Sequence, residues 1–445
     1  MRLNLSHNSL PSPWEVNEES GRSQREQQQL QRSGTSFTML DLGHNRFTGS
    51  IPTDLCDCLM ITVLKLDHNS LNGTIPDERF NATLLEHLSF RNAGLRGTLD
   101  AAYAAKLSGL ITLDLGENQF TSKIPDSIGH LKRFGELTKV NFSTLENLER
   151  LDLASNKFSG MVPESIYFCT NLTALRLADN KFYGELSPKI GNLKSLTSLS
   201  LYKNTLTNIT NSLQILKSSK NLRALLLGKN FMHEGMPQDK TIDGFDNLQV
   251  LGMQRLTGDI PTTLAAMKKP NSIKTAAQFD RSFFALPIYL TVSHQYRLTL
   301  AFPNGLDLSN NDFTGVISED ISQLKALNSL NLSYNRFYGK IPQALSGLTD
   351  LQVLDLSSNL LNGTIPVTLN TLQFLNVSNN DLEGPVPTEG QLSTFPGSSF
   401  DGNPKLCGSI LVHHYNPVEA TPDSFFTSKD RSEKQAGFMM IDLLA

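Results

Sequence analysis

Few residues in this chain have the type and spacing to do chemistry. His44 and His68 stand 24 residues apart. A fold repeating with that period would stack their rings about 5 Å apart, within reach of one metal ion. No carboxylate or cysteine recurs in the same slot on the next units, so a solvent-facing surface is the better reading, and neither metal nor other cofactor is expected. His7 likewise precedes an Asn of the same phase. Asp41, Asp114, Asp152, Asp307 and Asp355 each lie between two leucines, a setting that suggests paired catalytic carboxylates. Lys65, Ser89, Arg176 and Ser200 intervene at that position, and the five carboxylates read instead as a solvated face. The nucleophile-elbow, metalloprotease, phosphate-loop, dinucleotide-fingerprint and kinase signatures are missing from the sequence, and no enzyme is expected.

A binding chemistry is more legible between residues 262 and 303. That stretch holds Lys268, Lys269, Lys274, Arg281 and Arg297 against Asp280 alone, a local charge of +4 on a chain whose net charge is −4. Aromatic residues crowd the same segment. Guanidinium groups suit planar or tetrahedral oxyanions, and aromatic rings supply rigid contact area at low entropic cost. Arg281, Phe283, Phe284, Tyr289, Tyr296 and Arg297 are therefore the candidate ligand-binding set. A strand spanning Tyr289–Thr299 would also offer its edge to an extended peptide. The competing reading is that the aromatics simply fasten the segment to the rest of the chain.

The rest of the chain is periodic. Seventy-one Leu and 36 Asn among 445 residues are more than ordinary cores use. The segment Leu40-Asp-Leu-Gly-His-Asn-Arg-Phe-Thr-Gly-Ser-Ile-Pro52 returns as Leu64-Lys-Leu-Asp-His-Asn-Ser-Leu-Asn-Gly-Thr-Ile-Pro76. One Asn marks the phase of each unit: Asn45, Asn69, Asn118, Asn156, Asn180, Asn204, Asn230, Asn311, Asn335, Asn359 and Asn380. Steps of 24 dominate. Such self-similarity specifies an α/β repeat architecture, a right-handed leucine-rich repeat solenoid with a parallel β-sheet on its concave face. Leu-x-Leu makes the strand and the Asn amide satisfies backbone groups at the inner turn, while Gly and Pro set the backbone beyond it. One continuous solenoid thus replaces the three or so domains that length alone suggests.

The pattern also breaks. Ala93 stands where an Asn belongs, leaving its partners to water or neighbours. The step from Asn118 to Asn156 is 38 residues, that from Asn359 to Asn380 is 21, and Gln254 or Leu256 replaces the Asn of one unit. These irregularities are expected to produce local faults. The organisation expected is a repeat remnant at 1–10, a low-complexity disordered stretch at 11–36, repeats at 37–261, an island at 262–303, repeats at 304–387, a C-terminal cap remnant at 388–408 and an unstructured tail at 409–445.

The extended pattern Leu-x-x-Leu-x-Leu-x-x-Asn-x-Leu-x-Gly-x-Ile-Pro, seen from Leu351 to Pro366, resembles the plant-specific leucine-rich repeat. Ala285-Leu-Pro-Ile-Tyr … Gln295-Tyr-Arg … Phe302-Pro ahead of Leu306-Asp-Leu-Ser-Asn-Asn resembles the island of the phytosulfokine receptor and tyrosine-sulfated glycopeptide receptor group. Ser399-Phe-Asp-Gly-Asn-Pro-Lys-Leu-Cys-Gly408 is similar to the end of those ectodomains. The resemblance implies a non-enzymatic, extracellular ectodomain that binds a small secreted peptide, sulfated on tyrosine in that group. It also implies a leucine-rich repeat co-receptor kinase as partner, and anchorage in the cell membrane. In the family a second Cys pairs with the counterpart of Cys407; Tyr415 stands there instead, so that disulfide is not expected. The alternatives are a defence-type repeat protein that binds a pathogen enzyme on its concave face, or a truncated, non-functional paralogue.

Remaining features fit the same reading. A pI near 6.2 argues against a nucleic-acid partner. No transmembrane segment or signal peptide is legible, and the expectation is an ectodomain without its ends. Asn72, Asn81, Asn141, Asn171, Asn208 and Asn362 are the candidate glycosylation sites; Asn4, Asn331 and Asn376 also carry the acceptor motif but lie within strands. Cys58 and Cys169 each follow their phase-marking Asn by 13 residues and are expected to be buried free thiols.

Overall fold

The computed structural model describes residues 2–10, 38–52, 55, 60–76, 82–99, 107–123, 142–237, 245, 247–260, 288–291, 294–296 and 304–411. Each repeat opens with a three-residue strand whose central Leu points inward while its neighbours face outward, as the two-residue period of a strand demands. Fourteen such strands, from Arg2–Asn4 to Phe374–Asn376, form one sheet in which each pairs with the next. The pairing is parallel and keeps one register, Leu3 against Leu40, Leu40 against Leu64, and so on to Leu354 against Leu375. This continuous leucine row is the inner wall of the core.

The Asn of each repeat holds the next layer. Its side-chain oxygen accepts from a backbone N–H of the preceding coil, as from Phe120 to Asn156 at 3.0 Å. Its Nδ2 reaches carbonyls of both coils, as from Asn156 to Leu115 at 2.9 Å and to Leu153 at 3.2 Å. All eleven residues of the phase series are placed this way. Asn403 adds a twelfth, accepting from Leu382 N–H at 3.1 Å and donating to Val377 O at 3.0 Å. Just past the Asn, a buried Phe or Leu begins a second core row, where Phe120 stacks on Phe158 with ring centroids 6.3 Å apart. The chain then takes a positive φ at Gly49, Gly73, Gly184, Gly339, Gly363 and Gly384, a conformation that glycine adopts without Cβ strain.

Short lateral strands follow. Lys181–Gly184 lies within one five-stranded set and Leu360–Gly363 within a four-stranded set that Lys405–Cys407 closes. The outer side is made of 3-10 turns such as Glu164–Phe168 and Gln343–Gly347. Pro163 and Pro342 hold the extended backbone that opens them. Among the described residues one α-helix, Ile209–Leu216, replaces a turn, and Asn208 Oδ1 caps it by accepting from Asn211 N–H at 3.1 Å.

Faults at the irregular spacings are smaller than expected. Thr112–Asp114 pairs directly with Arg150–Asp152 across the 38-residue step. Leu354 pairs with Leu375 across the short one, where Leu361 N–H still reaches Asn380 Oδ1 at 3.0 Å. The extra or missing residues fall outside the strand, so the inner row does not register them. At Ala93 the backbone takes over: Leu71 N–H donates to Ala93 O at 2.8 Å, and Asn118 Oδ1 accepts from Ala93 N–H at 3.2 Å. In the coil without its Asn, Met236 N–H donates to Thr257 O at 2.8 Å. Backbone groups again replace the amide.

Candidate functional site: the concave face

Two rows of side chains define the concave face. The first follows the central strand Leu and begins with Asn4, Asp41, Lys65, Ser89, Asp114 and Asp152. Its Asp and Asn members do a local job, accepting from the backbone N–H two residues on: Gly43 to Asp41 at 3.1 Å, Gly116 to Asp114 at 2.9 Å, Ala154 to Asp152 at 2.9 Å. Ser309, Ser333 and Ser357 do the same toward Asp307, Asn331 and Asp355 at 3.0, 3.1 and 3.0 Å. These turns bend the chain out of each strand.

The carboxylates of this row are not a solvated face. Asp41, Asp114 and Asp152 are 9%, 3% and 2% exposed. Arg91 lies across them, pairing through Nε with Asp114 at 3.0 Å and through its terminal nitrogens with Asp152 and Glu117. Arg176 adds a contact to Asp152 at 3.1 Å. Burial pushes the Asp114 carboxyl up to about 7; Arg91 opposes that and Asp152 adds to it. Asp152 moves the other way, because Arg176 and Arg91 together outweigh its burial. All five Asp positions therefore make Asx turns, and Asp114 and Asp152 also join a buried ion network.

The second row consists of the residues just before the ladder positions, all with left-handed backbones: His7, His44, His68, Asn92, Glu117, Ser155, Asp179, Lys203, Lys229, Arg255, Asn310, Tyr334, Ser358 and Asn379. That conformation turns each side chain outward beside its neighbour on the next coil. The three histidines stack face to face at 4.1 and 4.3 Å, and Asn92 Nδ2 lies 3.1 Å from His68 Nδ1. Parallel rings do not converge on one point, and among the described residues no group of His, Cys, Asp or Glu is placed to hold a metal. Farther along, the row turns basic through Lys203, Lys229 and Arg255. Lys203 pairs with Asp179 at 2.7 Å, and Lys229 Nζ lies 5.4 Å from the centre of the Tyr202 ring. Sequence reading missed this block, because its signal is one residue per repeat and emerges only when the coils are aligned.

Of the island set, Arg281, Phe283, Phe284 and Arg297 lie outside the described residues. Tyr289 and Tyr296 fall on opposite strands of an antiparallel hairpin, Ile288–Thr291 with His294–Tyr296, pairing with Gln295 and Ile288 respectively. The Tyr289–Thr299 stretch thus folds back on itself and is not one strand. Strand Val250–Gly252 pairs directly with Gly305–Asp307, so the segment between them leaves the sheet without interrupting it.

Among the acceptor motifs, Asn72 and Asn362 are exposed on the lateral side. Asn171 donates through Nδ2 to Glu146 O at 2.9 Å, the same coil-to-coil bond that Asn221 and Asn247 make to Lys194 and Lys220. Asn81 and Asn141 lie outside the described residues. Cys169 is buried and free, its thiol pushed up to about 12 by burial. Cys407 is free and half-buried, and Cys58 lies outside the described residues. No helix among the described residues is long and apolar enough to cross a membrane.

Known proteins give this geometry a setting. The family model Leucine rich repeat matches residues 132–182, and a second model of the same description matches 36–58, 109–131, 304–324, 326–348 and 350–372. Receptor-like protein 3 of Arabidopsis thaliana is 34% identical over 297 residues, 53% of this chain and 39% of its own length. Phytosulfokine receptor 1 of the same plant is 41% identical over 69 residues, 15% of this chain and 7% of its own. This chain therefore spans well under half of either relative. The solved structure of PEPR1-AtPEP1 superposes with a TM-score of 0.58 at 30% identity, covering 84% of this chain and 49% of that one. With its single parallel sheet and Asn row, the chain is a leucine-rich repeat solenoid similar to plant leucine-rich repeat receptor-like proteins.

Proposed function

We propose that this chain is the extracellular ligand-binding region of a plant receptor-like protein. In this reading it recognises a small secreted peptide across the concave face and the island, and signals through a partner kinase. The observation that carries it is the unbroken pairing of Val250–Gly252 with Gly305–Asp307. An insertion that leaves the sheet intact is an appendage to a finished scaffold, which is how loops on rigid frames come to carry binding. The structural likeness to PEPR1-AtPEP1 supports a peptide as the ligand class. The resemblance of the island to the sulfated-peptide receptor group, with the short match to phytosulfokine receptor 1 beside it, is the ground for assigning a sulfated tyrosine to Arg281 and Arg297.

The test is calorimetric titration of tyrosine-sulfated and unsulfated pentapeptides against the intact chain, an Arg297→Ala variant and a chain lacking 262–303. The sulfated peptide should bind more tightly, Arg297→Ala should erase the difference, and the deletion should abolish binding while the solenoid stays folded. Binding to the deleted chain at full strength would defeat the proposal. Selective capture of a pathogen enzyme by that deleted chain would favour a defence role instead.

A further inference from the structure

We infer that Asn362 carries an N-linked glycan whose first N-acetylglucosamine sits on Leu360 and Tyr338, closing an apolar row on the lateral side of the solenoid. The inference rests on the extracellular reading, since the modification belongs to secreted proteins, and it gives one sugar a structural role.

Exposed apolar residues are ordinary when scattered singly, but three meet here on successive coils. Val316, Tyr338 and Leu360 are 61%, 53% and 58% exposed. Tyr338 pairs in register with Leu360 across the parallel strands Tyr338–Lys340 and Leu360–Gly363, so the two side chains start about 5 Å apart. On the other side Tyr338 N–H donates to Gly315 O at 3.0 Å. Val316 is thereby brought alongside, and a Cβ on Gly339 would sit 3.1 Å from its Cγ1. An apolar row of this kind is a place for contact.

Its cover is encoded on the same strand. Exposure alternates along Leu360–Gly363, with Leu360 and Asn362 outward and Leu361 and Gly363 inward. Asn362 therefore projects from the same face, about 7 Å from Leu360. Asn362-Gly-Thr364 is an acceptor motif, and among the described residues the Asn362 side chain has no hydrogen-bond partner. Other acceptor side chains are engaged. Asn171 Nδ2 donates to Glu146 O at 2.9 Å, and Asn208, Asn331 and Asn376 accept through Oδ1 from the N–H groups of Asn211, Ser333 and Ser378.

In the transfer, Asn362 Nδ2 bonds to the anomeric carbon of an oligosaccharide carried on a polyprenyl diphosphate. The bond from that carbon to the diphosphate oxygen breaks, the diphosphate leaves with the electron pair, and Nδ2 gives up one of its two protons. One face of the attached ring presents only C–H bonds, which suit the negative face of an aromatic ring and the methyl groups of a leucine. Lys340 lies opposite Asn362 on one neighbouring strand and Asp381 on the other, a donor and an acceptor for the acetamide and the hydroxyls.

The chain contains its own control. Leu71-Asn-Gly-Thr-Ile-Pro76 repeats Leu361-Asn-Gly-Thr-Ile-Pro366 residue for residue, and Asn72 is also exposed on the lateral side. Ser70 stands where Leu360 does. Its N–H donates to Phe47 O at 2.9 Å as that of Leu360 does to Phe337 O at 2.8 Å, which puts Thr48 in the place of Tyr338. A sugar on Asn72 therefore meets hydroxyl-bearing neighbours and no apolar seat.

The experiment uses the full chain secreted from plant cells behind a cleavable leader. Glycopeptide mass spectrometry reads which acceptors carry sugar, and an amidase that cuts between Asn and the first sugar is then applied to the folded protein. The glycan on Asn362 should be released about threefold or more slowly than that on Asn72, the scale of one surface side-chain contact. In glycopeptides, after proteolysis, the two rates should converge. Leu360→Ser with Tyr338→Ser should bring release at Asn362 up to the rate at Asn72, and Thr48→Tyr with Ser70→Leu should slow release at Asn72. Hydrogen exchange at Tyr338–Lys340 should be slower in the glycosylated chain than in Thr364→Ala or Asn362→Gln, both of which remove the acceptor motif. Absence of sugar from Asn362 overturns the inference whatever the other acceptors carry. Equal release rates in the folded protein, or a rate at Asn362 indifferent to the double serine substitution, overturn the seat and leave the row to a protein partner. Because the leader supplies secretion, each of these failures counts against the sugar and not against the receptor reading. Loss of peptide binding in the earlier titration counts against the receptor reading alone.

Discussion

A ladder Asn replaces several peptide partners at once. Asn156 accepts from Phe120 and donates toward Leu115, Leu153 and Ala154. Asn156→Ala should therefore strand buried backbone groups and lower stability by about 3 kcal/mol, measured by urea denaturation. Ala93 shows how a coil avoids that loss, by moving a backbone carbonyl into the position, and Ala93→Asn should change stability far less. The ladder was legible because its period is fixed and its preceding Leu-x-Leu is conspicuous. Asn403 was not, since Phe400 replaces the leucine pair ahead of it. The burial of Asp114 and Asp152 escaped the pattern too, because one long side chain from another coil, Arg91, covers them. Cys169, with its thiol raised by burial, should resist iodoacetamide at pH 8 in the folded chain and react promptly in urea, as read by mass spectrometry.

At the scale of the coil, ionisation differs along the solenoid. Folding raises Asp114 from its ordinary value of 3.8 to about 7, so between those limits the folded chain holds a proton that the unfolded chain releases. Its contribution to stability therefore falls as pH rises from 4 to 7 and is level above that. Asp114→Asn should flatten this region of the profile while retaining the turn to Gly116. His68 slopes the other way. Burial depresses His68, so the unfolded chain takes up its proton first and stability is lost as pH falls below about 6.5. Asp67 and Glu117 temper the effect; Arg91 and His7 add to it. Hydrogen exchange should show the coil of Val63–Lys65 loosening at pH 5 relative to pH 7, and His68→Asn should suppress the change.

The whole molecule is one-dimensional, and that much was plain from self-comparison of the sequence. The regular coils, from Asn156 to Asn204 and Asn311 to Asn359, repeat as written. What the sequence did not convey is how far the inner row ignores irregularity elsewhere. The irregular spacings were expected to cause faults, yet the strands on either side of them pair directly, and the backbone supplies the bonds that a missing amide would have made. Candidate site residues were legible unevenly for the same reason. The island announced itself by local charge density, whereas the basic block is spread over three repeats and has no density along the chain.

The Asn row has one more consequence, for behaviour under load. Coils joined chiefly to their neighbours should detach singly when the ends are pulled, each rupture beginning as its Asn leaves the next coil. A 24-residue coil adds about 80 Å of extended chain. Force spectroscopy should therefore give a sawtooth of that spacing, with longer teeth of about 130 Å where Leu3 pairs with Leu40 and Leu113 with Leu151, and of about 190 Å where Leu251 pairs with Leu306. A solenoid built this way would yield gradually, never all at once.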